Sequence, residues 1–218
     1  DLDIELDVIS TMDADHHLAR QRVETYIKDK GRPNYIISTI QRRISYQLLQ
    51  LSSKQKIPYY TVNTDALEEE HKLIGQPRGK FRYWLGQMVP NDNSAGRLLS
   101  SALSVLAKQD PTRYKSADGL YHLIGISGGR DSSVSFKRNK GLLASVDNNS
   151  DVILHQIQFS DWSDNYSFAI TPKLYKRFPQ TKLIWTASDQ LASGVYRAAP
   201  SKDVLIGGID WSLEGLIA

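Results

Sequence analysis

Two patterns in this 218-residue chain place polar side chains where they could do chemistry. The first is the apolar run Leu183-Ile184-Trp185-Thr186, which stops at Ser188-Asp189. A helical pattern with small residues on one face (Ala192, Gly194, Ala198) follows it. This reads as a strand feeding a helix, with Ser188 and Asp189 at the mouth where the strand ends. In open α/β sheets, ligands bind outside the carboxyl ends of the strands. A Ser or Asp there either caps the helix or turns its side chain toward a ligand. The second pattern is Ser127-Gly128-Gly129-Arg130-Asp131-Ser132-Ser133, which follows a strand and opens a helix. Glycines let a backbone approach a phosphate closely, and amides at a helix N-terminus hold the anion. The plainer reading is a glycine-rich turn with Asp131 or Ser132 as N-cap.

The elements that position these residues repeat along the chain. Strands are predicted at Ile4–Ile9, at Tyr35–Ser38 (buried), at Ile57–Val62 and at Tyr83–Gly86. Helices are predicted at 14–28, at 42–51, where Ile44, Leu48 and Leu51 have helical spacing, and at 95–107 behind a cap at Asp92-Asn93-Ser94. Glu68 to Lys80, with Gly75, Pro77 and Gly79, reads as a surface loop. Breakers between Gln109 and Gly119 suggest a boundary between lobes. The alternation then restarts, with strands at 121–126, 152–158, 183–186 and 204–207 and helices near 132–146, 164–178 and 189–199. Alternating strands and helices imply βαβ units and a parallel sheet. The expected fold class is therefore α/β, with two Rossmann-like lobes, 1–115 and 116–218, joined by a hinge near 109–120.

Composition excludes several chemistries. There is no cysteine, so thiolate metal sites, disulfides and cysteine nucleophiles are absent. Net charge is +3 with 27 basic and 24 acidic residues interspersed, which argues against a nucleic-acid surface. The five histidines are scattered, and the adjacent His16-His17 would point to different sides of a helix. Neither a metal nor a cofactor is expected. No apolar run approaches the roughly 20 residues of a membrane span. The chain opens at Asp1 almost in a strand and closes at Ala218 in a helical pattern, so a fragment or processed form is expected.

Several segments, in order, resemble the periplasmic sugar-binding proteins of ABC transporters, of the ribose-binding and autoinducer-2-binding type. They are Pro33-Asn34-Tyr35-Ile36-Ile37, Lys56 to Asn63, Asn91-Asp92-Asn93-Ser94-Ala95-Gly96, and Phe136-Lys137-Arg138-Asn139-Lys140-Gly141. Ser160-Asp161-Trp162-Ser163, Ala187 to Ala199 and Val204 to Ser212 complete the set. The resemblance implies a type 1 periplasmic binding protein, truncated at both ends relative to the family. It implies no catalysis, a sugar-like ligand held in an interlobe cleft, a membrane permease or sensor as partner, and a periplasmic location.

A sugar offers apolar C–H faces and a rim of hydroxyls, so its site needs aromatic planes and bidentate polar groups. By the resemblance, Arg138 is a hydroxyl clamp, Trp162 stacks on the ring and Asp210 accepts hydroxyl protons. Trp211 adds a wall, and Ser188 stands where many relatives carry asparagine. Asp189, and in the first lobe Thr39, Gln41 and Asn63, complete the expected ligand contacts. Each has a plainer reading. Arg138 on a helix would be a surface cation or salt-bridge partner, Trp162 a core or rim residue, Asp189 an N-cap or hinge carboxylate, and Asn63 a turn residue. Two rival functions remain. The glycine-rich loop resembles that of ATP pyrophosphatases, which are adenylating enzymes, and the effector domain of a LacI-type repressor shares the fold.

Overall fold

A computed structural model describes residues 3–9, 16–42, 44–201 and 203–213. The expected helix start at Ala14 and the last residues of the chain lie outside them. The molecule divides into two units, Asp1–Pro90 and Asn91–Ala218.

The first unit runs α1 (His16–Lys30), β1 (Ile36–Ser38), α2 (Ile44–Gln55), β2 (Tyr59–Val62), α3 (Glu68–Ile74) and β3 (Trp84–Met88). Its three strands pair in parallel in the order β1-β2-β3. Leu49, Ile57, Tyr59, Ile74 and Trp84 are fully buried. The Trp84 indole keeps its donor satisfied by bonding Thr61 Oγ1 at 3.1 Å. Three expectations fail here. Ile4–Ile9 is not a strand; Ile4, Leu6 and Val8 stand exposed, because alternation forms a strand only where a neighbour supplies hydrogen bonds. The Tyr35–Ser38 strand is not buried, since Tyr35 and Ile37 are 61% and 65% exposed. The polar stretch from Glu68 holds a helix, α3, before its breakers begin. Glu68, Glu69 and Glu70 occupy its first turn, where carboxylates suit the helix dipole.

The second unit runs α4 (Asp92–Gln109), α5 (Pro111–Tyr114), β4 (Tyr121–Ser127), α6 (Ser133–Asp147), β5 (Val152–Phe159), α7 (Asp164–Arg177), β6 (Leu183–Thr186), α8 (Asp189–Ala198) and β7 (Leu205–Gly207). The sheet is parallel throughout, ordered β5-β4-β6-β7. Every residue of β4 and β6 is buried, as in strands covered on both faces, and the largely apolar runs Leu123–Ile126 and Leu183–Trp185 fit that setting, with His122 and Ser127 as buried polar members of β4. Gly125 of β4 faces Leu142 of α6, and Gly207 of β7 faces Leu99 and Leu103 of α4. The α7 and α8 helices pack on each other.

The boundary precedes α4 rather than following it at 109–120. The breakers there enclose only the short α5, whereas α4 belongs with the second unit through its close packing on α6. Gly96 makes that approach possible: a Cβ there would lie 2.0 Å from the Arg138 carbonyl oxygen. Trp185 of β6 also donates from its indole to the Gly96 carbonyl at 3.1 Å. Gly96→Ala should therefore separate α4 from α6 and cost about 1–3 kcal/mol, as overpacking does. Denaturant unfolding of the second unit, read at the buried Trp185, measures the loss.

Candidate functional site at the strand ends

The centre of the candidate site is an ion pair between two helices. Asn91 caps α4 by accepting from the Ser94 amide at 3.1 Å, which sets Asp92 in the first turn. The Asp92 side chain is 1% exposed and that of Arg138, on α6, is 8% exposed. Arg138 Nε donates to Asp92 Oδ1 at 2.8 Å, and its NH1 donates to the Ala187 carbonyl just past β6. NH1 also lies 3.8 Å from Asp210 Oδ1. Arg138 is thus a salt-bridge partner inside the protein. Its NH2 has no partner among the described residues. Asp92 Oδ2 is buried with no hydrogen bond.

Around this pair the chain is tied at the ends of β6 and β7. Ser188 caps α8, accepting from the Leu191 amide at 3.3 Å. The Asp189 amide donates to the Ile209 carbonyl at 2.9 Å. Its carboxylate accepts from the Ser212 amide at 3.0 Å and the Ser212 hydroxyl at 3.2 Å. Both residues are buried; Ser188 is engaged in the α8 cap, and Asp189 holds the segment that carries Asp210. Asp210 itself is 54% exposed and has φ 126°, a backbone region that side chains rarely adopt. Partial burial raises its carboxyl above the ordinary range; Arg138 opposes the shift, and Asp189 and Asp92 add to it. Trp211 is 87% exposed and forms no wall in this conformation.

Trp162 stands past the end of β5, half-buried, with φ 70°. Its amide donates to Ser160 Oγ at 3.1 Å, and Ser160 Oγ donates to the Ser127 carbonyl at 2.7 Å. Its indole lies on Gly128, where a Cβ would fall 1.9 Å from a ring carbon. The glycine-rich loop is therefore covered by an aromatic ring, and Ser132 caps α6. Gly128 is small because an indole rests on it.

In the first unit, Thr39 and Gln41 follow β1 and Asn63 follows β2, so all three sit at the carboxyl edge of a parallel sheet. Gln41 Nε2 reaches Thr39 Oγ1 at 3.4 Å. Asn63 is exposed with φ 67°, and its amide donates to the Met88 carbonyl at 2.9 Å. Beside it Asp65 accepts from Gln87 at 2.9 Å and lies 2.9 Å from His71 Nε2. Sequence reasoning missed this cluster and the partnership of Asp92 with Arg138. A signal for the latter existed: Asp92 to Gly96 and Arg138 to Gly141 each place a charge and a glycine on one helix face. That is what two closely packed, oppositely charged helices need. Among the described residues no group of three or more side chains could hold a metal. A surface depression of about 510 Å³ lies between α1 and α2, lined by Arg20, Glu24 and Lys54 among others, away from the strand ends.

No family model matches the chain, and no curated protein matches it in sequence. Solved structures do. A periplasmic sugar-binding protein from Pseudomonas fluorescens is 25% identical, with a TM-score of 0.76 over 94% of this chain and 60% of that one. An ABC transporter periplasmic solute-binding protein from Actinobacillus succinogenes, with bound D-allose, is 18% identical. It has a TM-score of 0.71 over 88% of this chain and 64% of that one. A Mycobacterium smegmatis protein in complex with β-D-fucofuranose is 16% identical, with a TM-score of 0.68 over 88% of this chain and 59% of that one. The fold is that of the type 1 periplasmic sugar-binding proteins, and the chain spans about three-fifths of the length of these structures.

Removing one member of the buried pair leaves the other charge uncompensated. Asp92→Ala should cost about 3–5 kcal/mol. Asp92→Ala combined with Arg138→Met should recover most of it. A double-mutant cycle in urea measures the coupling.

Proposed function

We propose that this chain is a solute-binding protein that captures a sugar or sugar-like molecule at the carboxyl edges of its sheets. The observation that carries the reading is backbone strain. Five non-glycine described residues have positive φ, and three of them, Asn63, Trp162 and Asp210, are residues the sequence pointed to at strand ends. Strain of this kind costs of order 1–3 kcal/mol per residue and tends to concentrate at binding sites. It holds an indole and a carboxylate at the rim, the two group types a sugar requires. Arg138, fixed by Asp92, keeps a cation behind Asp210. Thr39, Gln41 and Asn63 give the first unit a polar edge of its own. The similarity to structures described as holding D-allose and β-D-fucofuranose points the same way.

In this reading the chain performs no catalysis. A membrane permease or membrane sensor reads the bound form, and the setting is the periplasm. No described helix is long and apolar enough to cross a membrane. Nucleotide binding at Ser127–Ser133 is disfavoured because Trp162 covers Gly128 and the Ser127 side chain is fully buried.

A thermal-shift screen against D-ribose, D-allose, D-fructose, autoinducer-2 and magnesium-ATP tests this. A sugar at 100 times its Kd should stabilise by about 2.7 kcal/mol, a shift of several degrees. Asp210→Ala and Trp162→Ala should abolish that shift. A shift with magnesium-ATP alone, lost in Gly129→Ala, would replace this function with the adenylating enzyme.

A further inference from the structure

The second unit carries a titratable chain away from the candidate site, running from exposed Asp118 through buried His122 to partly buried His155. Asp118 precedes β4, His122 lies on β4 and His155 on β5. His122 is 2% exposed. Its Nε2 lies 2.9 Å from Asp118 Oδ2, and its Nδ1 lies 2.8 Å from His155 Nε2. The two imidazoles stack at 5.0 Å between centroids, and His155 stacks on Phe178 at 4.7 Å. Phe178 is the C-cap of α7. The cluster therefore joins the turn before β4, the amino-terminal half of two strands and the end of α7. This is the opposite end of the sheet from Asp210 and Trp162.

The nitrogen bond between the rings needs one donor and one acceptor. With both rings neutral and His122 donating to Asp118, His122 Nδ1 accepts and His155 Nε2 donates. With one proton added to either ring, one nitrogen still donates and the other still accepts, so the bond survives. With two protons added both nitrogens are donors and the bond is lost. The stack therefore holds at most one extra proton.

We propose that the Asp118–His122–His155 chain is an acid-sensitive latch on the second unit: a second proton breaks the ring-to-ring bond and frees the end of α7 from β5. The surroundings reinforce this. The other charged groups at this end include Lys115, which sits over the Tyr121 ring, Arg177, which sits over Phe178 and bonds Gln156, Lys182, whose amide donates to the His122 carbonyl, and Asp151, whose carbonyl accepts from the Tyr121 amide and whose carboxylate pairs with Lys108 at 3.0 Å. Asp118 is the carboxylate that bonds the imidazole pair, and its charge partly favours a protonated His155. Tyr175 of α7 is neutral, since burial raises its hydroxyl well above the ordinary value. Burial first, then His122, holds the His155 imidazole below its ordinary 6.5, with Asp118 partly opposing. The native state thus binds fewer protons than the unfolded chain. The stability His155 contributes is present above about pH 6.5 and is lost as pH falls through its lower folded value. Asp118 also lies below its ordinary 3.8, chiefly because His122 bonds it, so its contribution fades only in stronger acid.

Thermal unfolding of the second unit between pH 7.5 and 5.0 tests the latch. Wild type should lose about 3–6 °C in Tm over this range. His155→Phe retains a ring to stack on Phe178 but cannot be protonated, so its Tm should hold level. Proton NMR titration of the wild-type imidazoles is the second measurement, which does not depend on how the variant folds. It should show the His155 imidazole titrating below the ordinary histidine value, with the His122 ring resonances moving as His155 takes its proton. Equal slopes in the two proteins, or a His155 titration at the ordinary histidine value that leaves the His122 ring unmoved, would overturn the proposal. Neither measurement depends on a ligand, so failure here leaves the sugar reading standing.

Discussion

The second unit is organised around one charge that has left water. The Arg138 guanidinium is almost fully buried, and desolvating an ion costs several kcal/mol unless its partners are well placed. Asp92 supplies the counter-charge from a neighbouring helix, and Ala187 supplies a carbonyl from the end of β6. These two partners fix α4, α6 and the β6 terminus together at one point. Gly96, pressed against the Arg138 backbone, is the steric condition for that arrangement. Moving either helix outward would leave two buried charges apart.

This constraint shapes what the strand ends can present. With Arg138 held from behind, its NH1 faces Asp210 across 3.8 Å, too long for a hydrogen bond but close enough for charge attraction. Asp210 remains half-exposed and under opposing influences, its burial raising the carboxyl and Arg138 lowering it. Asp189 is taken up by Ser212, so it fixes the Asp210 segment and leaves the outer surface to its neighbours. The division of labour is between carboxylates: Asp92 and Asp189 hold the frame, and Asp210 faces outward.

Much of the second unit was legible in the sequence, because strands buried on both faces read as continuous apolar runs. His122–Ile126 and Leu183–Thr186 stand out for that reason and lie at their expected places. The first unit was less legible. Ile4 to Ile9 alternates as a strand should, yet no strand among the described residues pairs with it, and periodicity carries no information about a partner. The helix at Glu68–Ile74 was hidden by the glycines and proline that follow it. Residue types at the candidate site were readable, since polar side chains at strand ends are few. Their roles were not: Arg138 and Asp92 are separated by 46 residues, and no local pattern states that one neutralises the other.

The glycine-rich loop illustrates how packing decides between chemistries that a motif leaves open. Ser127 to Ser133 has the composition of a phosphate cradle, and it does run from a strand into a helix. A cradle needs its glycine surface free for the anion. Here the indole of Trp162 occupies that surface at Gly128, and Arg130 turns outward over the Phe159 ring at 4.4 Å from its centroid. Trp162 reaches this position through a left-handed backbone that its side chain disfavours, held by the Ser160 hydroxyl bridging to the Ser127 carbonyl. The loop and the tryptophan are thus one device: the glycine exists to seat the ring, and the strained backbone exists to bring the ring there. A planar, half-buried aromatic face at the edge of a parallel sheet suits the C–H face of a sugar better than it suits a pyrophosphate.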